Sequence, residues 1–582
     1  MNKTIRTRKS AKRYVWMISL SFVLYHLSFS VACSDMLDTQ SELVEFQEDN
    51  TLNHPTDSVY SVMGIINRMQ LIADRTVLLG EVRGDLVQPT DAASADLKRL
   101  AAFNLTEANK YNQVSDYYAV INNCNYFLAH VDTALQRRGR NLFMNEYAAV
   151  KTFRAWTYLE LVKNYGQVPL VLDPVMTERE AAEHLNGKRA TIQEVCDYFI
   201  ADLTPYAYIT PPSYGNVGDF QSSSFFIPTR VLLGDLCLWA GKYKEAARWY
   251  NDFLNDPQQP RPLNEQRRIR WNSVTDFQSP VNGYSSDNNA REETLASIPM
   301  ESRVFDGNVS DLQNVFNSTR ENNYFYQLTP SAGMRRISAE QVYCMEYKTA
   351  TTTDTVYVPR TGFSNDNYIG DLRFSANYTL RSEGGQDPYS EFSTLRQTIN
   401  KLSRANTVST YRLTMVYLRY AEALCRAGLP QSAMSVLKYG LCPDNNVERI
   451  DSLERVEAGS LITFDVNTFT EERSIGVHSV GSGDADCNAQ YALPMPPTSL
   501  PTRQDTINYQ VPLVEDLIIN EMALEGAFEG YRFHDLMRVA LRRGDPSYLA
   551  DPISRRNGAA DAQLHQLLMN QDNWFLPLPT VQ

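Results

Sequence analysis

The chain has 582 residues, of which 68 are acidic and 55 are basic, giving a formal net charge of −13. An acidic chain repels nucleic-acid phosphates and anionic lipid, which excludes a nucleic-acid partner. The length is enough for one large core or for several domains.

The N-terminus carries Lys3, Arg6, Arg8, Lys9, Lys12 and Arg13, with no acid before Asp35. An apolar run from Val15 to Ala32 follows and ends in Ser30-Val-Ala-Cys33. A basic region, an apolar region and small residues before a cleavage point form a secretory signal peptide over residues 1–32. A cysteine directly after the small residues is the lipoprotein version. The Cys33 thiol is expected to carry a fatty acyl chain such as palmitate and to become the mature N-terminus. Ser30 stands where leucine is usual, and a run of this length also suits an uncleaved membrane anchor. Cleavage removes six basic side chains and no acidic ones, taking the net charge to −19. Residues 33–50 are polar and read as a lipidated tether.

From Asp57 to about Arg138 the apolar residues recur at helical spacing, as with Val114, Ile121, Cys124 and Leu128. Glu146–Asn164 reads as an amphipathic helix that stops at Gly166, with Pro169 just beyond. A weak repeat follows. Ala240-Gly241 to Ala246 aligns with Ala427-Gly428 to Ala433, each a helix, a turn and a second helix, like a tetratricopeptide unit. Residues 255–400 lose the helical period and gain Pro, Asn, Ser, Asp, Gly and Thr, so loops, short strands and short helices are expected there. Residues 445–512 are similar. Long loops on a rigid scaffold are where binding function usually resides.

The stretch Glu521-Met-Ala-Leu-Glu-Gly-Ala-Phe-Glu-Gly-Tyr-Arg-Phe-His-Asp-Leu-Met-Arg538 reads as one helix, with Glu521, Glu525 and Glu529 near one face. Leu517, Leu524, Phe528 and Tyr531 give an overlapping apolar face, so these acids sit at the edge of a core. A carboxylate there costs several kcal/mol unless a cation pairs with it. Arg532 and Arg538 are within reach, so Glu521, Glu525, Glu529, Arg532, Asp535 and Arg538 read as a structural ion-pair lattice. The alternative is a catalytic pair of acids, as in a glycoside hydrolase. Arginines keep carboxylates ionised, which argues against a raised-pKa general acid and favours a chain that is not an enzyme.

Beyond Cys33 seven cysteines remain, an odd number. Cys124, Cys196, Cys237 and Cys425 lie in apolar helical stretches and read as small buried hydrophobes. A disulfide among Cys344, Cys442 and Cys487 is open. No CxxC pair occurs, so no zinc site of the usual spacing is supported, and no metal or cofactor is expected.

The Glu521–Arg538 stretch resembles the C-terminal signature of the SusD/RagB family of nutrient-binding surface lipoproteins. So, in order, do "YAAVKTFRAWTYLELVKNYGQVPLV", "IPTRVLLGDLCLWAGKYKEA", "YFYQLTPS", "YRLTMVYLRYAEALCRAG" and the terminal "WFLPLP". The resemblance implies a mainly α fold, a scaffold of tetratricopeptide-like helical hairpins with a loop-rich face and few short strands. It implies an N-terminal SusD-like helical region over 51–255 and a C-terminal RagB/SusD region over 256–582 with the ligand face and closing helices. It also implies outward-facing display at the outer membrane by a lipid anchor, and a SusC-like TonB-dependent barrel transporter as partner. The expected ligand is an oligosaccharide. A tetratricopeptide-type lipoprotein that binds peptides or protein partners is the alternative.

A neutral glycan needs aromatic faces for its C–H surfaces, and amides, acids or arginines for its hydroxyls. Asn322, Tyr324 and Tyr326 form the best such cluster, followed by Asn104 with Tyr111, and then Trp271. Each of these rings could instead pack its loop onto the scaffold. His478, in a Gly-rich stretch near Asp484 and Cys487, has no spaced second histidine and reads as neither metal ligand nor catalyst.

Overall fold

Helix starts are written in short side chains. Thr191 and Thr502 each close a capping box, with Glu194 and Asp505 returning the bond to the cap backbone. The structure is a computed structural model that describes residues 55–273, 276–281, 293–301, 307–348, 351–358, 370–382, 395–404, 406–471 and 473–579. The signal peptide, Cys33 and the tether lie outside the described residues.

The first half runs α1 (Pro55–Glu81), β1 (Val87–Pro89), α2 (Ala95–Ala101), α3 (Val114–His130), α4 (Met144–Tyr165), α5 (Ile192–Leu203), α6 (Thr229–Trp239) and α7 (Tyr243–Leu254). Helices α1 and α3, α3 and α4, α4 and α5, α5 and α6, and α6 and α7 pack in succession. The stretch read as amphipathic, α4, is instead buried on all sides, with Val150, Phe153, Tyr158 and Leu161 fully covered. Its charges survive burial by pairing: Arg154 and Lys151 both bind Asp202, Arg154 at 3.2 Å.

The second half contributes β2 (Thr294–Pro299), α8 (Leu312–Phe316), β3 (Leu328–Pro330), α9 (Leu372–Asn377), β4 (Thr407–Arg412), α10 (Leu413–Arg426), α11 (Pro430–Lys438), α12 (Arg503–Glu525) and α13 (Arg532–Arg543). The two repeat segments are the hairpins α6–α7 and α10–α11, and α7 packs on α10. Gly241 and Gly428 end the first helix of each hairpin at φ of 72° and 87°, a backbone that L side chains rarely adopt. The fold is thus mainly helical. Every sheet among the described residues has two strands. Among the short strands expected over 255–400, Thr353–Val358 pairs with Tyr343–Lys348.

Two cross-links tie distant segments. β1 pairs antiparallel with β3, Val87 facing Pro330, which brings the loop after α1 beside the loop after α8. Cys344 and Cys487 form a disulfide, while Cys124, Cys196, Cys237, Cys425 and Cys442 are free and buried. No helix among the described residues is long and apolar enough to cross a membrane.

Candidate ligand-binding site

Glu521 to Arg538 is two helices. α12 ends at Glu525, Gly526–Tyr531 turns with Phe528 at φ 69°, and α13 starts at Arg532. Glu529 therefore lies in the turn rather than on the helical row. The acids are deeply buried and paired, mostly with cations from other elements. Arg373 of α9 binds Asp371 at 2.7 and 2.9 Å and Glu525 at 3.3 Å, and also binds Glu521. Arg412 of β4 binds Glu293 at 2.5 Å, Glu525 at 3.0 Å and Glu529 at 2.6 Å, and Lys401 binds Glu529 at 2.5 Å. Arg532 binds Asp85 at 2.6 Å, and Arg538 binds Glu422 at 2.5 Å and Asp535 at 2.9 Å.

Burial alone would raise the Glu521 carboxyl, but Arg373 and His478 outweigh it and hold the group at about 2. Glu525, under Arg412, Lys401 and Arg373, is likewise held at about 2 against burial. The same holds for Glu422 beside Arg538 and Arg542. Such groups are fixed anions with no proton to give near neutral pH. His478 is buried rather than placed in a flexible loop. It contacts Glu521 at 3.0 Å and Asn488 at 3.1 Å and stacks on Tyr491 at 3.5 Å. His534 is buried beside Arg83 and Asn164, and burial pushes its pKa well below the usual imidazole value.

Glu81 is the opposite case. Its Oε1 accepts the Gly530 N–H at 2.9 Å, its Oε2 is buried without a hydrogen-bond partner, and burial pushes its pKa up to about 7. Nearby, an interior cavity of about 40 Å³ between Trp156, Asp235, Tyr531 and Asp535 has room for about three water molecules. It cannot hold a sugar. No group of three or more His, Cys, Asp or Glu able to hold a metal occurs among the described residues.

The surface offers a different site. A cleft of about 410 Å³ is lined by Ala92 and Ser94 from the loop after β1, and by Asp311, Asn314, Glu321, Asn322, Phe325 and Gln327 from α8 and its flanking loops. Both walls are pinned. Asp74 of α1 accepts the Asp311 N–H at 2.8 Å and the Ser310 hydroxyl at 2.6 Å. Gln327 Oε1 accepts the Ser94 N–H at 3.0 Å, and the Thr90 hydroxyl donates to the Tyr326 carbonyl at 2.7 Å. Buried Gln397 donates to the carbonyls of Phe316 and Leu328 at 2.7 and 2.8 Å, anchoring the floor of the loop.

Phe325 lines this cleft with 43% of its surface exposed. Its orientation follows from two successive left-handed residues, Asn323 at φ 52° and Tyr324 at φ 63°. Non-glycine residues seldom adopt this backbone, and such strain concentrates at functional sites. Asn322 lines the cleft, but its amide serves the loop, accepting from Thr319 N–H at 3.0 Å and donating to the Asn314 and Asn317 carbonyls. Tyr324 is half-buried, with the Arg396 guanidinium 3.5 Å from its ring centroid. Tyr326 is half-buried. Tyr111 is only 7% exposed and belongs to the core, whereas Asn104 is exposed. Trp271 lies in a short strand, and its side chain is outside the described residues. Sequence reasoning singled out the stretch Asn322 to Gln327 that holds Phe325 but named Tyr324 and Tyr326 as its rings, and it did not name Glu321 or Asp311.

Residues 42–220 match a family model, SusD-like_3, described as starch-binding associating with outer membrane. Two solved structures share the fold over almost the whole chain. A SusD superfamily protein from Bacteroides vulgatus aligns at 13% identity over 90% of this chain and 96% of its own, with TM-score 0.54. A SusD homolog from Bacteroides thetaiotaomicron aligns at 14% identity over 92% and 96%, also at 0.54. The chain has a SusD-like fold. A further SusD superfamily protein from Bacteroides thetaiotaomicron aligns at 13% identity over 83% of this chain and 89% of its own, with TM-score 0.50. No protein of curated function matches the sequence. One wall of the cleft, at Ala92 and Ser94, lies inside the matched segment, and the Phe325 wall lies beyond it.

Proposed function

We propose that this SusD-like chain is a non-catalytic surface lipoprotein that captures oligosaccharide in the Phe325 cleft. It passes the ligand to a SusC-like TonB-dependent barrel transporter in the outer membrane. The observation that carries the reading is the cleft: an exposed ring beside carboxylates and amides, on walls pinned by hydrogen bonds. A flat apolar ring meets the C–H face of a sugar, and Asp311, Glu321 and Gln327 meet its hydroxyls. The family description supports a glycan and an outer-membrane setting. Anchoring through Cys33 is supported by the basic, apolar and small-residue order of residues 1–33. The absence of turnover is supported by the C-terminal acids, held as buried anions by arginine.

The test is calorimetry of the body from residue 34 against hits from a glycan array, with Phe325→Ala beside it. Loss of about tenfold or more in affinity with unchanged folding supports the site. Unchanged affinity removes it. Cys33→Ala is expected to release the protein from the membrane fraction and to abolish acyl labelling. Failure of a barrel transporter to co-purify with the native lipoprotein would overturn the delivery step.

A further inference from the structure

The cleft is acidic in a specific way. Its charged lining consists of Asp311 and Glu321, and no lysine or arginine lines it. Both carboxylates are exposed, and neither forms an ion pair among the described residues. Asp311 takes one 3.3 Å hydrogen bond from the Asn314 amide. The remaining lining groups are neutral: Ala92, Ser94, Asn314, Asn322, Phe325 and Gln327. The cations on neighbouring stretches do not line the cleft: Arg320 is exposed beside Glu321 in the chain, and Lys98 and Arg396 are engaged elsewhere. Lys98 Nζ donates to the Asp91 carbonyl at 2.8 Å, and Arg396 is stacked on Tyr324.

Carboxylates that accept hydrogen bonds suit sugar hydroxyls, which donate. They do not suit a ligand carboxylate or sulfate, which can only accept and brings a like charge. Even at the dielectric of water, each like charge held about 6 Å away weakens binding by about threefold, so two weaken it by about tenfold.

We infer that Asp311 and Glu321 make the cleft a charge filter that admits neutral glycans and rejects those bearing uronate, sialate or sulfate. This rests on the Phe325 cleft being the glycan site. The lining is what distinguishes this site from a generic aromatic platform. Phe325 would bind neutral and acidic sugars alike, whereas the two carboxylates discriminate between them.

The experiment is an array carrying neutral hexose and N-acetylhexosamine oligosaccharides beside uronate-, sialate- and sulfate-bearing ones. It is read at 20 mM and 300 mM salt with the natural chain, Asp311→Asn/Glu321→Gln and Phe325→Ala. The natural chain is expected to bind neutral glycans only, with little salt dependence. The double variant is expected to gain at least about tenfold for acidic glycans. Acidic glycans bound by the natural chain as tightly as neutral ones, or a double variant with unchanged selectivity, would overturn the filter and leave the glycan site standing. Neutral binding that Phe325→Ala leaves intact would overturn the site, and the filter with it.

Discussion

The C-terminal ion-pair lattice and the Phe325 cleft use the same residue types to opposite ends. In the lattice, Glu521 and Glu525 are 1% exposed and meet Arg373 and Arg412. In the cleft, Asp311 and Glu321 face solvent with no arginine against them. A carboxylate surrounded by cations is spent on holding helices together, and one left in an open cleft remains available to a ligand. The environment of these acids, and not their number, separates scaffold from site.

The comparison breaks most sharply at Arg373. Arg373→Ala leaves Asp371, Glu521 and Glu525 buried without their shared cation. It should cost about 3–5 kcal/mol in chemical denaturation, as for other broken buried pairs. Removing the Cys344–Cys487 bond with Cys344→Ser/Cys487→Ser should cost about 2–4 kcal/mol, measured the same way.

Glu81 tests the sign of burial. Its folded pKa of about 7 lies above the ordinary 4.5, so the folded state holds a proton that the unfolded state has released. This group's destabilisation therefore grows as pH rises from 4.5 to 7 and is full above 7. Glu81→Gln should stabilise the protein by about 3 kcal/mol at pH 8 and change little at pH 4. A variant equally stable at both values would refute the assignment. Glu422, Glu521 and Glu525 have the opposite slope. Their folded pKa values of about 2 contribute stability above 4.5 that is lost as pH falls towards 2.

The smallest expected stability effect belongs to the site itself. Phe325→Ala should leave the thermal midpoint nearly unchanged, within about 0.5 kcal/mol, while ligand binding is lost. A large drop in stability would place Phe325 with the scaffold.

The sequence made the helical hairpins legible because Ala-Gly spacing and apolar period are local properties. The C-terminal acids were legible as buried and in need of cations, but their partners were not. Arg532 reaches Asp85, 447 positions away, and Glu521 takes Arg373 from a stretch that lacks helical period. Which ring of the stretch from Asn322 to Gln327 faces the cleft was not legible, for a backbone reason. Tyr324 and Tyr326 flank Phe325, and two left-handed residues decide which ring faces out, a choice the side chains do not encode. Tyr111 packs inward, the alternative reading for its ring, because its polar neighbourhood, Asn109 and Asn112, is itself buried and hydrogen-bonded inward.

The closure of the segment after α1 against the chain's far end bears on how the protein is made. Arg83 donates to the Trp574 carbonyl at 2.9 Å, and Arg556 donates to the Val82 carbonyl at 3.0 Å. These contacts join residues more than 470 positions apart. This early segment cannot complete its packing until the last residues are available, and such nonlocal closure slows folding. A nascent chain in this state keeps this segment open through most of its synthesis.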